Sequence, residues 1–212
     1  MKFNIITLEG YHVRLEPLEI KHRQGLIDAI SDGELWKLFV TLVPKIGDVD
    51  DFINKSIIGH KNGESLIFAT LDKLTGKVVG STRFMRADFQ NKRVEIGFTF
   101  LAKSHQKSKI NTEAKLLMLE HAFEDLNLNR VEFLTDYLNT NSRNAILRLG
   151  AKEEGLLRNH MIMPDGRVRD SVIFSIIKNE WSGIKQHLLY KLGRQEKKGK
   201  KNEYSNRKSN KR

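Results

Sequence analysis

The chain has 212 residues, 39% of them hydrophobic, no cysteine and a formal net charge of +11. That supports one globular domain with a sizeable core and excludes disulfides and thiolate metal sites. No apolar run approaches the roughly 18 residues of a membrane span, and Met1 to Glu9 lacks the ~7–15-residue apolar stretch of a signal peptide, so a cytoplasmic protein is expected.

Tyr11 to Leu18 alternates apolar and polar residues, as a half-buried strand does. Ile20, Leu26, Ile27 and Ile30 then recur at helical spacing within Glu19 to Ile30, near a stop at Gly33. A second helix is expected over Val49 to Gly59, with Asp48 as its N-cap. Leu66 to Leu71 reads as a buried strand, Asp72 to Lys77 as a turn, and Val78 to Phe84 as the returning strand. After the turn Gln90-Asn91-Lys92 comes a strand from Val94 to Leu101, a basic loop, a helix from Thr112 to Leu126 and a strand from Arg130 to Thr135. A helix begins near Asn139 and stops at Gly150. Ala151 to Leu157 and Val172 to Ile177 form a last strand pair, with a tight turn at Met163 to Arg167. Asn179 to Leu192 closes the domain as a helix capped by Asn179 and ended at Gly193. This is an α/β pattern: one mostly antiparallel sheet with a parallel step, flanked by helices.

The domain accordingly spans residues 1–192, and residues 193–212 form a basic tail. From Arg194 to Arg212 nine Lys or Arg face two Glu, so the tail carries +7 and the body +4 of the total +11. With almost no apolar residues, the tail is expected to be disordered and solubilising. It could also touch RNA, the ribosome or an acidic partner. His12, His22, His60, His105, His121 and His187 show no metal-ligand spacing, so no metal is expected. Trp36 and Trp181 sit at helical spacing with apolar neighbours and read as packing residues.

Two segments carry a resemblance: Gln106-Lys107-Ser108-Lys109-Ile110-Asn111 at the mouth of a helix, and Asn139-Thr140-Asn141-Ser142-Arg143-Asn144-Ala145. In that order the chain resembles the Gcn5-related N-acetyltransferase (GNAT) superfamily, specifically the RimJ/RimL-like branch that acetylates N-terminal amines of ribosomal proteins. The resemblance implies the GNAT fold, acetyl-CoA as co-substrate, and acyl transfer to a primary amine in a ternary complex. It places the cofactor pyrophosphate at Gln106, Lys107, Ser108, Lys109, Ile110, Asn111 and Thr112, where a helix N-terminus offers backbone N–H groups. Lys109 stands where the family has its first glycine. A positive φ there would cost on the order of 1 kcal/mol. The backbone of Phe100 and Leu101 would pair with the pantetheine arm, and the Asn139 side chain would contact it.

The resemblance further implies Glu95 as base and Ser142 as the acid on the leaving-group side, with Ile146 where many members carry a tyrosine. Capping is the alternative for Asn139 and Ser142, and a surface strand carboxylate for Glu95. His160, Arg167, Arg169 and Asp170 are candidates for acceptor contact, or for hairpin ion pairing; His160 could also carry a proton. Several relatives pair through late strands, so a homodimer is possible. The rival reading is a non-catalytic module in which Lys109 closes the cofactor loop and the basic tail binds RNA or a protein.

Overall fold

The structure, a computed structural model, describes residues 3–194. Strands β1 (Leu8–Glu9) and β2 (Val13–Pro17) precede helices α1 (Arg23–Ser31) and α2 (Val49–Asn62). Then come β3 (Ser65–Asp72), β4 (Val78–Asp88), β5 (Arg93–Leu101) and α3 (Lys109–Glu120). The remainder holds β6 (Arg130–Asp136), α4 (Thr140–Leu147), β7 (Lys152–Ile162), β8 (Val168–Ile177) and α5 (Trp181–Lys191). All eight strands join one sheet in the order β1-β2-β3-β4-β5-β6-β8-β7. Every neighbouring pair is antiparallel except β5–β6, which is parallel.

The sheet is covered on two faces, and the sequence shows why. Leu66 to Thr70 is one unbroken buried run because both of its faces are packed. On one face Leu26, Ile30, Val49 and Ile53 from α1 and α2 meet Ile67 and Phe100. On the other, Ala114, Met118, Leu119 and Leu188 from α3 and α5 meet Phe68, Phe84, Val131 and Phe174. Trp181 is buried there and donates its Nε1–H to Glu124; Trp36 packs half-buried against the first cluster. The edge strand β7 is mostly exposed and carries Lys152, Glu153, Glu154 and Arg158, charges that discourage pairing with another edge.

Several boundaries differ from the sequence expectation. The final hairpin runs to Ile162 and starts again at Val168, so both strands are longer than Ala151–Leu157 and Val172–Ile177. Helix α3 begins at Lys109 instead of Thr112, because Ser108 caps it, and its last turn, His121–Asp125, widens to a π-helix. Asn179 does not cap α5: a 3-10 turn, Lys178–Glu180, leads into the helix and places Glu180 at its N-cap. Asp48 does sit at the N-cap of α2, but its side chain makes no capping bond. Gly193, with φ 75°, ends the described part of the C-terminal helix as expected. The basic tail beyond Arg194 lies outside the described residues.

One carboxylate ties the N-terminal hairpin to α3. Glu113 is fully buried and accepts the backbone N–H groups of Tyr11, at 2.9 Å, and Val13, at 2.8 Å, as well as that of His12. Arg194 pairs with it from the end of α5. Glu113→Ala would leave three backbone donors and a guanidinium without an acceptor. We expect a loss of about 3–5 kcal/mol in chemical denaturation. A loss below about 1 kcal/mol would mean that water replaces the carboxylate.

Candidate active site

The parallel step builds a notch. Strands β5 and β6 pair at Arg93↔Arg130, Val94↔Val131 and Glu95↔Glu132, and the pairing ends there. Beyond Glu95 the two strands part, and each leads from its C-terminal end toward a helix N-terminus, α3 from β5 and α4 from β6. Crevices outside the carboxyl ends of parallel strands, between helix N-termini, are where α/β sheets bind phosphate-bearing ligands.

A bulge re-aims β5 at the notch. Ser81 pairs with Phe100 but Arg83 with Gly97, so Thr82 stands opposite two residues, Phe98 and Thr99. Phe98 takes φ 48°. Strand β4 passes very close by: a Cβ at Gly80 would lie 2.1 Å from the Phe100 carbonyl oxygen. That oxygen therefore leans on β4 and away from the notch. The Leu101 carbonyl accepts the Gln106 side-chain amide at 3.0 Å, which holds Gln106 against the strand end.

The loop at α3 is a turn into a helix. Lys107 is the residue at positive φ, 58°, while Lys109 is helical. The Ser108 hydroxyl accepts from Ile110 N–H at 3.3 Å and donates to the His105 carbonyl at 2.7 Å. The N–H groups of Lys109 and Asn111 lie in the first helical turn and have no partner within the helix, whereas Thr112, expected at the pyrophosphate, spends its N–H on the first helical bond to the Ser108 carbonyl. The concern that Lys109 holds a glycine conformation is thereby corrected. Its ammonium reaches instead to the Leu192 carbonyl, 3.2 Å away at the end of α5. Lys109→Gly should therefore not tighten acetyl-CoA binding, and it should lower stability by about 1 kcal/mol, read by calorimetric titration and thermal melting. A gain in affinity would restore the closed-loop reading.

Glu95 stands at the last paired position, at the base of the notch, and is 4% exposed. Burial pushes its carboxyl up, against the pull of the Arg86 guanidinium, which donates to it at 3.0 Å. Asn139 caps α4 by accepting the Ser142 N–H at 3.0 Å. Ser142 is half-buried in the first turn of α4, and Ile146 faces the core from the same helix.

The four acceptor-side candidates divide. Arg167 pairs with the buried Asp136 and donates to the Phe39 carbonyl at 3.0 Å, which ties the segment between α1 and α2 over this end of the sheet. Asp170 accepts the Asn159 N–H at 2.7 Å and so holds the bulge of β7. His160 lies 3.0 Å from the Ser171 hydroxyl, and burial, with Arg86 and Arg169 nearby, lowers its pKa. Arg169 is 7% exposed, and among the described residues it has no ion pair. Sequence reasoning passed over Arg83, Arg86, Asp136 and the buried Lys115. The signal for Arg83 and Lys115 was a lone charge within an apolar strand and on an apolar helix face.

These features fit a CoA ester: a bulged strand that leaves its parallel neighbour, a serine-capped helix start beside it, and a buried carboxylate at the base. Residues 12–152 match the family described as Acetyltransferase (GNAT) domain. The chain is 30% identical over 178 residues, 84% of its length and 99% of the relative's, to a Bacillus licheniformis protein named "Uncharacterized N-acetyltransferase p20". A GCN5-related N-acetyltransferase from Brucella melitensis superposes with a TM-score of 0.80 at 32% identity, over 90% of this chain and 86% of that one. The RimJ of Mycobacterium smegmatis, solved in complex with CoA-disulfide, shares the fold at a TM-score of 0.76 and 22% identity, over 90% and 96% of the two chains. The chain thus belongs to the GNAT acetyltransferases.

Proposed function

We propose that this protein transfers the acetyl group of acetyl-CoA to a primary amine, of a protein N-terminus or a small molecule, by direct attack in a ternary complex. The observation that carries it is the notch that opens beyond Glu95↔Glu132 with the Ser108-capped start of α3 at its mouth. Acetyl-CoA, when bound, supplies a thioester whose acyl carbon takes the amine nitrogen, with loss of the C–S bond.

The chain's own groups then have distinct work. The free N–H groups of Lys109 and Asn111 hold the pyrophosphate at the start of α3, with Gln106, Lys107 and Ser108 shaping the turn that presents them. Phe100 and Leu101 line the pantetheine arm, and Asn139, with its oxygen given to the α4 cap and one amide hydrogen to the Val40 carbonyl at 3.4 Å, keeps the other for that arm. Glu95 removes a proton from the ammonium, directly or through water, and its raised pKa suits a base working near neutrality. Ser142 gives a proton to the departing sulfur. Backbone N–H groups beside Phe100 polarise the thioester oxygen. His160 and Arg169 border the acceptor.

Thiol release from acetyl-CoA, followed across a panel of free amines and N-terminal peptides, tests this reading. Release that requires an amine and saturates with it is expected. Acetyl-CoA binding without turnover of any amine would argue against a transferase.

A further inference from the structure

Three arginines, Arg83, Arg86 and Arg169, act on Glu95, and only Arg86 has a carboxylate partner; Arg167 stands beyond Arg169. Arg86 pairs with Glu95, and Arg167 with Asp136. Arg83 and Arg169 make no ion pair among the described residues, and the Nε of each is buried without a hydrogen-bond partner. Both belong to strands flanking the notch: Arg83 on β4, opposite Gly97, and Arg169 at the start of β8. Cross-strand geometry puts Arg83 diagonal to Glu95, roughly 7–8 Å away between backbones. Glu95 also feels Arg169 directly.

Arg83 has a built surround. Its guanidinium lies 4.2 Å from the centre of the Phe98 ring and 5.4 Å from that of Phe52. Together they line a cavity of about 440 Å³ beneath α2. Burial holds the Arg83 pKa down, to about 10, and lowers that of Arg169 too, as expected of guanidinia that have given up water without gaining a counter-ion. An unpaired buried charge is costly, and an incoming carboxylate would relieve that cost with paired, charge-assisted hydrogen bonds. The cavity's acidic residues lie at its exposed rim, where Asp51 is already paired with Lys55.

Resting on the acetyltransferase reading, we propose that the acceptor is an amine that also bears a carboxylate, bound by Arg83 while its amino group meets Glu95. The free α-amino acids and the N-termini of acidic peptides share this chemistry. Arg83 then sets specificity.

The experiment compares acetylation of α-amino acids with that of their α-carboxamides, and of short peptides with and without glutamate at the second position, in the native chain, Arg83→Gln and Arg83→Lys. Carboxylates are expected to exceed their amides at least about tenfold in kcat/KM. That preference should vanish in Arg83→Gln and persist in part in Arg83→Lys, with acetyl-CoA affinity unchanged in both. Preference confined to the acidic peptides would name a protein N-terminus, and preference among free amino acids a small-molecule acceptor. Equal use of acids and amides, or a preference that survives Arg83→Gln, overturns the proposal and leaves the transferase reading standing. Calorimetric titration of the acetyl-CoA-loaded chain with glutarate gives a readout independent of turnover. Binding lost in Arg83→Gln is expected, and no binding to the native chain overturns the proposal. If acetyl-CoA itself does not bind, the failure belongs to the transferase reading, and glutarate titration of the free chain then decides the carboxylate site.

Discussion

Glu95→Gln is expected to lower kcat/KM by about 10²–10⁴, the range over which a positioned general base contributes. The substitution keeps the shape of the side chain and its position beside Arg86, 3.0 Å away, and removes the proton acceptor. Acetyl-CoA affinity should barely change, because Glu95 lies at the base of the notch and away from the α3 turn. The pH profile gives a second readout. Burial raises the Glu95 pKa, so a native enzyme should lose activity as pH falls through a value above the ordinary carboxylate range. That acidic limb should be missing from Glu95→Gln. A variant within threefold of native activity, or one that retains the limb, would move the base elsewhere; His160, held neutral beside Ser171, would be next to test.

Lys115→Met should stabilise the protein. Lys115 projects from α3 into the core at 4% exposure, and its ammonium donates to the Thr82 hydroxyl at 2.7 Å and the Thr99 hydroxyl at 2.6 Å. Those threonines sit on the two strands of the bulge, so this one side chain pins the segment that re-aims β5. Burial lowers its pKa from 10.5 to about 7. The sign follows from proton binding. Between pH 7 and 10.5 the unfolded chain holds a proton there that the folded chain has shed, so native stability rises with pH by about 1.4 kcal/mol per unit. At pH 7 and below, the buried lysine costs on the order of 4 kcal/mol, a cost that fades toward pH 10.5. Methionine removes it and forfeits two hydrogen bonds, while the Thr82 and Thr99 hydroxyls still reach each other at 2.8 Å. A net gain of about 2 kcal/mol at pH 7, or about 4–8 °C in Tm, is expected, with little pH dependence left between pH 7 and 10. A lower Tm, or an unchanged pH slope, would mean that the ammonium stays charged and well solvated in the fold.

The fold was legible because each element carries its own period: the buried run of β3, the alternation near β2, and the apolar stripes of α1 and α2. The helix stop at Gly193 and the turn at Pro164-Asp165-Gly166 followed from backbone chemistry alone. Asn179 misled because a good N-cap residue also suits a 3-10 entry, and only the packing of Trp181 sets where α5 begins.

In the site, the residues fixed by motif were legible, and those fixed by distant partners were not. Glu95, Ser108 and Asn139 stand in short patterns, and two of them cap the helices that the patterns announce. Lys109 was misjudged because family position says nothing of φ; Ser108 starts the helix at Lys109, three residues earlier than Thr112, and the positive φ falls on Lys107. Glu113 and Lys115 were missed for a different reason. On a helix, charge reads as a solvent-facing position, yet Glu113 meets Tyr11, 102 residues away in the chain, and Lys115 meets Thr82 and Thr99. Arg83 was passed over because a charge within an apolar strand gives no sign of the bulge that sets Phe98 against it.

The central claim is tested most directly by titrating acetyl-CoA into the native chain, with heat and thermal melting recorded together. Saturable heat, and a Tm that climbs with cofactor concentration as binding to the folded state requires, are predicted. No heat and no rise in Tm at millimolar acetyl-CoA would contradict the assignment of the notch between β5 and β6 as the cofactor site.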